Sequence, residues 1–242
     1  MRPLQDIHAL VQAGGQGERI RSISAGRPKP MMQLGSMPIL ERLLRRLIDH
    51  GIERITVVTG ARGEPIERHI EALRGELAPG VEISISKEMQ PAGNAGALGD
   101  VDFSGDTVLL CFGDLVTKLD FSLFAAVHLE RGCDVTLASH LEHHQLSFGE
   151  LLADGPEVHR YAEKPRKQFL ICSGMALFSP RAIAIARTLP RPFGLVDLVN
   201  ATLDNGCRVT HWEHGSYWID VNTPELLEQA RREIENDNRQ AV

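Results

Sequence analysis

Ile7-His8-Ala9-Leu10-Val11-Gln12-Ala13-Gly14-Gly15-Gln16-Gly17-Glu18-Arg19 is the stretch on which the fold turns. Ile7 to Val11 is short and mostly apolar, which fits a buried strand. Glycines at 14, 15 and 17 follow at once. They let the backbone take positive φ and let a ligand approach the main chain. Successive N–H groups in such a loop form a concavity that attracts anions. In open α/β sheets, ligands bind where strands end in loops of this kind. Two other readings fail. A dinucleotide fingerprint needs glycine at position 20, where Ile20 stands, and no Gly-Lys-Ser/Thr of a P-loop follows. Taken alone, the loop fits a phosphate site or a plain tight turn.

The next residues carry charge. Arg19, Arg21, Arg27 and Lys29 occur with no acidic residue between them. The 242-residue chain as a whole has the opposite sign: 26 Lys plus Arg against 32 Asp plus Glu, net −6. Such a chain is a poor general binder of nucleic acid or anionic membrane, and neither is expected as a partner. A local reversal of sign points to a compact anion instead. Lys29 stands between Pro28 and Pro30, whose rings fix φ on either side. A charge on a stiff backbone loses less entropy when it meets a fixed anion.

Further along, apolar runs alternate with helical periods. Leu40, Leu43, Leu44, Leu47 and Ile48 form one helix face, and Gly51 ends it. Ile55 to Thr59 reads as a strand, Glu64 to Arg74 as a helix, and Val108 to Phe112 as a central strand buried on both faces. Asp154-Gly155-Pro156 marks a hairpin. Thr223-Pro224 opens a last helix. This order predicts an α/β fold: a three-layer α/β/α sandwich with a Rossmann-like, mixed, mostly parallel sheet and one antiparallel insertion, about 139–169, covering the ligand. Without a Pro/Ser-rich linker, residues 1–236 are expected to form one domain, with a charged tail fraying over 237–242.

Cys111, Cys133, Cys172 and Cys207 show no CxxC spacing. Cys111 and Cys172 lie in apolar runs and read as core. The N-terminus has no signal-peptide pattern and no apolar run reaches membrane-span length, so a cytoplasmic protein with reduced thiols is expected. The run His140-Leu141-Glu142-His143-His144 fits no helix-spaced zinc motif and reads as a solvated segment. Asp114 follows the central strand after Gly113, where a metal ligand or a turn cap would both fit; Asp220 would suit a metal or an Asx turn.

Gly14-Gly15-Gln16-Gly17-Glu18-Arg19, then Arg27-Pro28-Lys29-Pro30-Met31, then Gly35-Ser36-Met37-Pro38-Ile39-Leu40 resembles, in order and spacing, the signature of the sugar-1-phosphate nucleotidyltransferases. The likeness continues in Pro91 to Leu98, Phe112-Gly113-Asp114, Phe148-Gly149-Glu150, Glu163-Lys164-Pro165 and Trp218-Ile219-Asp220. It implies the following roles. Ala13, Gly14, Gly15, Gly17, Gly93, Asn94 and Gly113 would bind the nucleotide. Arg19 and Lys29 would be catalytic, holding phosphates. Gly149, Glu163, Lys164 and Cys172 would bind the sugar phosphate, and Asp114 and Asp220 would bind Mg²⁺. Departures are Glu18 and Asn94 where Thr is usual, and Cys172 where many members carry Asn.

The reaction implied is attack of a sugar 1-phosphate on the α-phosphorus of an NTP, releasing pyrophosphate. The short form resembles mannose- and heptose-1-phosphate guanylyltransferases, which implies guanine; cytosine, uracil and thymine, and other phosphorylated alcohols, are the alternatives. An inert nucleotide-sugar sensor would be expected to have lost some of Arg19, Lys29, Asp114, Lys164 and Asp220. The length fits a catalytic domain alone. A homo-oligomer is compatible with the sequence, which fixes no oligomeric state.

Overall fold

The computed structural model describes Leu4 and residues 6–15, 26–104 and 106–240. In chain order the elements are β1 (Ile7–Gln12), a 3₁₀ turn (Lys29–Met31), β2 (Gln33–Leu34), β3 (Met37–Pro38), α1 (Ile39–Asp49), β4 (Arg54–Thr59), α2 (Glu64–Arg74), β5 (Glu82–Lys87), α3 (Ala97–Asp100), β6 (Thr107–Phe112), β7 (Leu115–Thr117), α4 (Phe121–Arg131), β8 (Val135–Gln145), β9 (Glu150–Asp154), β10 (Glu157–Ala162), β11 (Arg166–Phe178), α5 (Pro180–Ala186), α6 (Leu195–Asp204), β12 (Val209–Glu213), β13 (Trp218–Asp220) and α7 (Pro224–Gln240).

Seven strands form one sheet in the order β12-β8-β11-β6-β1-β4-β5. β1 runs parallel to β4 and β6, β4 to β5, and β8 to β12. β11 runs antiparallel between β6 and β8. The two-residue period of a strand divides the core. Leu109 and Cys111 of β6 join Ala9 and Val11 of β1 in one cluster with α1, α2 and α4. Val108 and Leu110 join Leu10 in the other, with α3, α5 and α6. Helices on both faces give the expected three layers. Leu110 is fully buried, and its truncation to Ala should cost about 2–5 kcal/mol.

A third apolar cluster sets up the site. Met32, Leu34 and Ile39 pack with Ile219 and Val221, and with Leu227, Ala230 and Ile234 of α7. Lys29 lies three residues before Met32, and Asp220 lies between Ile219 and Val221. Burial of these flanking side chains therefore fixes both backbones at once.

The run 140–144, expected to be solvated, is largely exposed and forms part of the second half of β8, with β11 beside it from Arg166. One expectation is corrected: Cys172 is exposed, not core. Its part of β11 pairs only with β8, and a register shift between Cys172 and Ala176 breaks the alternation there. The last helix continues to Gln240.

Candidate functional site

The C-terminal ends of β1, β4 and β5 open on a cleft of about 600 Å³. Ala13, Gly14, Gly15, Gly93 and Asn94, all expected at the nucleotide, line it together with Arg27. The Ala13 N–H donates to Val58 O at 2.9 Å, and the Gly113 N–H to Gln12 O at 2.9 Å. These bonds carry the sheet into the loops and seat Gly113 against Ala13. Gly17 and Arg19 lie outside the described residues.

Two glycines have steric causes. A Cβ on Gly14 would stand 3.1 Å from the Gly60 nitrogen, so the two loops meet backbone to backbone. Gly93 has φ +93°, and a Cβ there would stand 2.0 Å from Phe193 O. The next residue, Asn94, uses its Oδ1 to accept from the Leu195 N–H at 2.8 Å. It thereby satisfies one of the free donors at the start of α6. Asn94 is a wall residue whose oxygen is already engaged.

Lys29 is the hub of a second group. The 3₁₀ turn is closed by Met31 N–H to Pro28 O at 2.9 Å and Met32 N–H to Lys29 O at 3.0 Å. This aims the side chain inward, where the residue is only 7% exposed. Its ammonium donates to Asp114 Oδ2 at 2.6 Å, Asp220 Oδ1 at 2.9 Å and Asn222 Oδ1 at 2.6 Å. An ammonium has three donors, and all three are used. Buried charge is tolerated only when paired in this way.

The two carboxylates meet through a short ladder. β7 and β13 pair antiparallel with Asp220 opposite Leu115, and Asp114 immediately precedes Leu115. The Val221 N–H also reaches Asp114 O at 3.4 Å. Residues 106 positions apart (220 − 114) are thus neighbours. Burial raises the Asp114 carboxyl above its ordinary range; the adjacent Lys29 pulls it down and Asp220 pushes it up. One cation between two carboxylates leaves one net negative charge. Two carboxylates with a nearby amide oxygen form a hard, all-oxygen donor set, and magnesium is held by one or two carboxylates plus substrate phosphates. The residues fit that ion. Among the described residues no group of three or more His, Cys, Asp or Glu is placed to hold a metal by itself.

The residues expected at the sugar phosphate lie around the β9–β10 hairpin and β11. A Cβ on Gly149 would collide with the Tyr161 ring, and the Tyr161 hydroxyl donates to Glu163 Oε2 at 3.4 Å. Lys164 adopts φ +42°, and its carbonyl accepts from Gln145 Nε2 at 2.9 Å. Next to Cys172, the fully buried Ser173 bonds His140 Nδ1 and His214 Nε2, each at 2.8 Å. Trp218 donates to Ser173 O at 2.7 Å, which ties this strand to β13.

Sequence reasoning missed two residues. Asn222 follows β13 in a tight turn, its N–H bonded to Asp220 O at 2.8 Å, and its Nδ2 donates to Asp220 Oδ2 at 2.5 Å. Glu88 also lines the cleft. Glu88 follows β5 at the ligand-facing edge of the sheet, which could have marked it.

The chain matches the family model described as nucleotidyl transferase over residues 8–237. It is 24% identical over 226 residues to the mannose-1-phosphate guanylyltransferase catalytic subunit beta of Danio rerio, covering 90% of this chain and 62% of that protein. It is 24% identical over 234 residues to the D-glycero-alpha-D-manno-heptose 1-phosphate guanylyltransferase of Aneurinibacillus thermoaerophilus, covering 95% and 99%. The chain thus spans about six tenths of the length of the mannose-1-phosphate enzymes it matches and nearly all of the heptose-1-phosphate one. In fold it resembles HddC from Yersinia pseudotuberculosis complexed with GMP-PN, with TM-score 0.69, 23% identity, and 94% of this chain and 99% of that chain covered. With nearly its whole length matched by the family model, this chain belongs to the nucleotidyl transferase family.

Proposed function

We propose that the protein is a magnesium-dependent sugar-1-phosphate nucleotidyltransferase that uses GTP by preference. The observation that carries the reading is the convergence of Asp114 and Asp220 on the Lys29 ammonium, one residue beyond Arg27-Pro28 on the cleft wall. The base preference rests on the likeness to guanylyltransferases.

In the reaction, an oxygen of the sugar 1-phosphate forms a bond to the α-phosphorus of the NTP. The bond from that phosphorus to the bridging oxygen breaks, and pyrophosphate leaves with the electron pair. The substrate is the nucleophile, so no side chain need become covalently attached. The protein contributes position and charge. Gly14 and Gly15 offer backbone N–H groups to the triphosphate, where Gly17 would join them, with Ala13, Gly93, Asn94 and Gly113 shaping the space for the nucleoside. Arg19 and Lys29 lower the repulsion between two polyanions, and Lys164, with Gly149, Glu163 and Cys172, receives the sugar phosphate. Asp114 and Asp220 would hold Mg²⁺, which supplies charge neutralisation at the phosphate oxygens when bound. Such substrates place the enzyme in the cytoplasm, which agrees with four free cysteines. No helix among the described residues is long and apolar enough to cross a membrane.

The test is pyrophosphate release across five NTPs, each paired with several sugar 1-phosphates and with aminoalcohol phosphates. Release with GTP and a sugar 1-phosphate supports the reading. Turnover only with a non-sugar phosphate would overturn it.

A further inference from the structure

Next to the strands that carry the acidic pair lies a chain of polar groups that the reaction does not use. It runs Glu142, His140, Ser173, His214. Ser173 and His214 are buried. His140 Nε2 stands 3.2 Å from Glu142 Oε1, and Ser173 Oγ stands 2.8 Å from both His140 Nδ1 and His214 Nε2. The groups come from β8, from β11 and from the connection between β12 and β13.

The donors follow from the acceptors. An ionised carboxylate only accepts, and a neutral imidazole has one N–H and one lone pair. Hydrogen bonds from His140 and His144 hold the Glu142 carboxyl below its ordinary range, so it is ionised and His140 donates to it through Nε2. The Nδ1 of a neutral His140 then accepts from the Ser173 hydroxyl. That hydroxyl, its one proton given, accepts from His214 Nε2–H. Burial and then His140 lower the pKa of His214, with the Ser216 backbone offsetting part of this, which fits a neutral donor ring. Loss of the Ser173 hydroxyl breaks two of these bonds at once.

The main chain at Ser173 joins this chain to the site. Ser173 and Gly174 lie in the register shift of β11 and pair with neither β8 nor β6. Trp218 Nε1 donates to Ser173 O at 2.7 Å, and its indole packs on the His140 ring with centroids 4.5 Å apart. Trp218 and Asp220 stand two positions apart on one face of β13. On the other side, Gly174 has φ +71°, and a Cβ there would stand 2.9 Å from the Phe112 ring and 3.5 Å from Leu115 Cδ1. Phe112 and Leu115 bracket Asp114. The Ser173-Gly174 bulge therefore touches both segments that carry the carboxylates, and Cys172 precedes it on the sugar side. Released from the strand ladder, the bulge is held by the two histidines.

We propose that Ser173, fixed by His140 and His214, is a positioning residue that sets Asp114 and Asp220 against the sugar-phosphate side of the site. It acts through Trp218 and Phe112 and touches no substrate. This rests on the nucleotidyltransferase reading for the reaction it serves, but the link from His214 to Trp218 is readable without turnover.

The experiment uses the whole protein carrying Trp212→Phe, which leaves Trp218 as the one tryptophan of the original two. Ser173→Ala, His214→Phe and His214→Gln are made in that background. Gln keeps a side-chain N–H near the place of Nε2, and Phe does not. Acrylamide quenching of Trp218 emission is measured, together with kcat and the KM values for GTP and a sugar 1-phosphate. In Ser173→Ala and His214→Phe, Trp218 is expected to open to the quencher. Their kcat should fall about 10- to 100-fold with the KM for GTP nearly kept, the scale of a small misplacement at a reacting centre. His214→Gln should recover most of both. Native kcat in a folded Ser173→Ala would overturn the proposal. So would a loss carried by the GTP KM alone, or a His214→Gln no better than His214→Phe. Should Ser173→Ala fail to fold, the two His214 variants decide by the same criteria. Quenching that rises in His214→Phe and is restored in His214→Gln, in a protein that releases no pyrophosphate, would support the link while the transferase reading fell. Pyrophosphate release at native kcat in all three variants would do the reverse.

Discussion

The Lys29 ammonium lies 2.6 Å from the Asp114 carboxylate, across 85 positions of sequence. It reaches Asp220 at the same time, so one buried cation gathers two acids from distant segments. Replacing Asp114 by Asn keeps the shape and removes the charge. We expect a loss of about 100-fold or more in kcat with the melting temperature nearly kept. Full turnover in a folded Asp114→Asn would remove this residue from the reacting centre.

Lys29→Met should act on stability as well as activity. Asp114 and Asp220 would face one another without a cation, and breaking a buried pair costs roughly 3–5 kcal/mol. Both side chains are partly exposed, 28% and 35%, so the loss should sit at or below the low end. Millimolar Mg²⁺ should recover part of it. Denaturant curves with and without Mg²⁺ check this; an identical deficit in both would contradict the pairing of the two acids at an ion.

His128 predicts a pH effect away from the site. It is 3% exposed and bonded through Nδ1 to Thr136, and burial lowers its pKa from 6.5 to about 4. Between these values the unfolded chain holds the proton and the folded chain does not, so stability rises with pH in that window and falls as pH drops from 6.5 toward 4. The total is at most roughly 3 kcal/mol. His128→Gln should flatten this part of the stability profile. An unchanged slope in the variant would assign the acid sensitivity elsewhere.

Gly93→Ala should be destabilising out of proportion to its size. The backbone there is left-handed at φ +93°, and the new methyl would meet Phe193 O. Strain of about 1–3 kcal/mol from the dihedral, added to the clash, should lower the melting temperature by several degrees. Nucleotide affinity should fall too, since Gly93 lines the cleft. A variant as stable as the native protein would mean the loop can move aside freely.

Lys164→Ala should weaken the sugar phosphate more than the NTP. Separate KM values for the two substrates decide this, and equal losses would place Lys164 in another role.

The layers were legible because they rest on local patterns. The apolar run Val108–Phe112, the period of Ile66, Ile70 and Leu73, and the turn at Gly155-Pro156 each announce their own element. The convergence of Asp114 and Asp220 had to be inferred from resemblance, since it depends on the β7–β13 ladder, whose strands have three residues each and almost no period to read. The second half of β8 was hidden because its His-rich polar surface is that of a strand with an exposed face. Cys172 misled because an apolar run says that a residue is suited to burial, while its actual exposure depends on which strands flank it. Glu88 was missed because its place on the cleft wall depends on which strand ends meet there.

The most direct measurement is the joint yield of pyrophosphate and nucleotide-sugar from GTP, a sugar 1-phosphate and Mg²⁺, followed by mass spectrometry. The account predicts the two products in equal amounts, with both lost in Asp114→Asn and Asp220→Asn. Tight Mg²⁺-dependent binding of GTP with no pyrophosphate released for any sugar 1-phosphate would contradict it and leave a nucleotide sensor on the same fold.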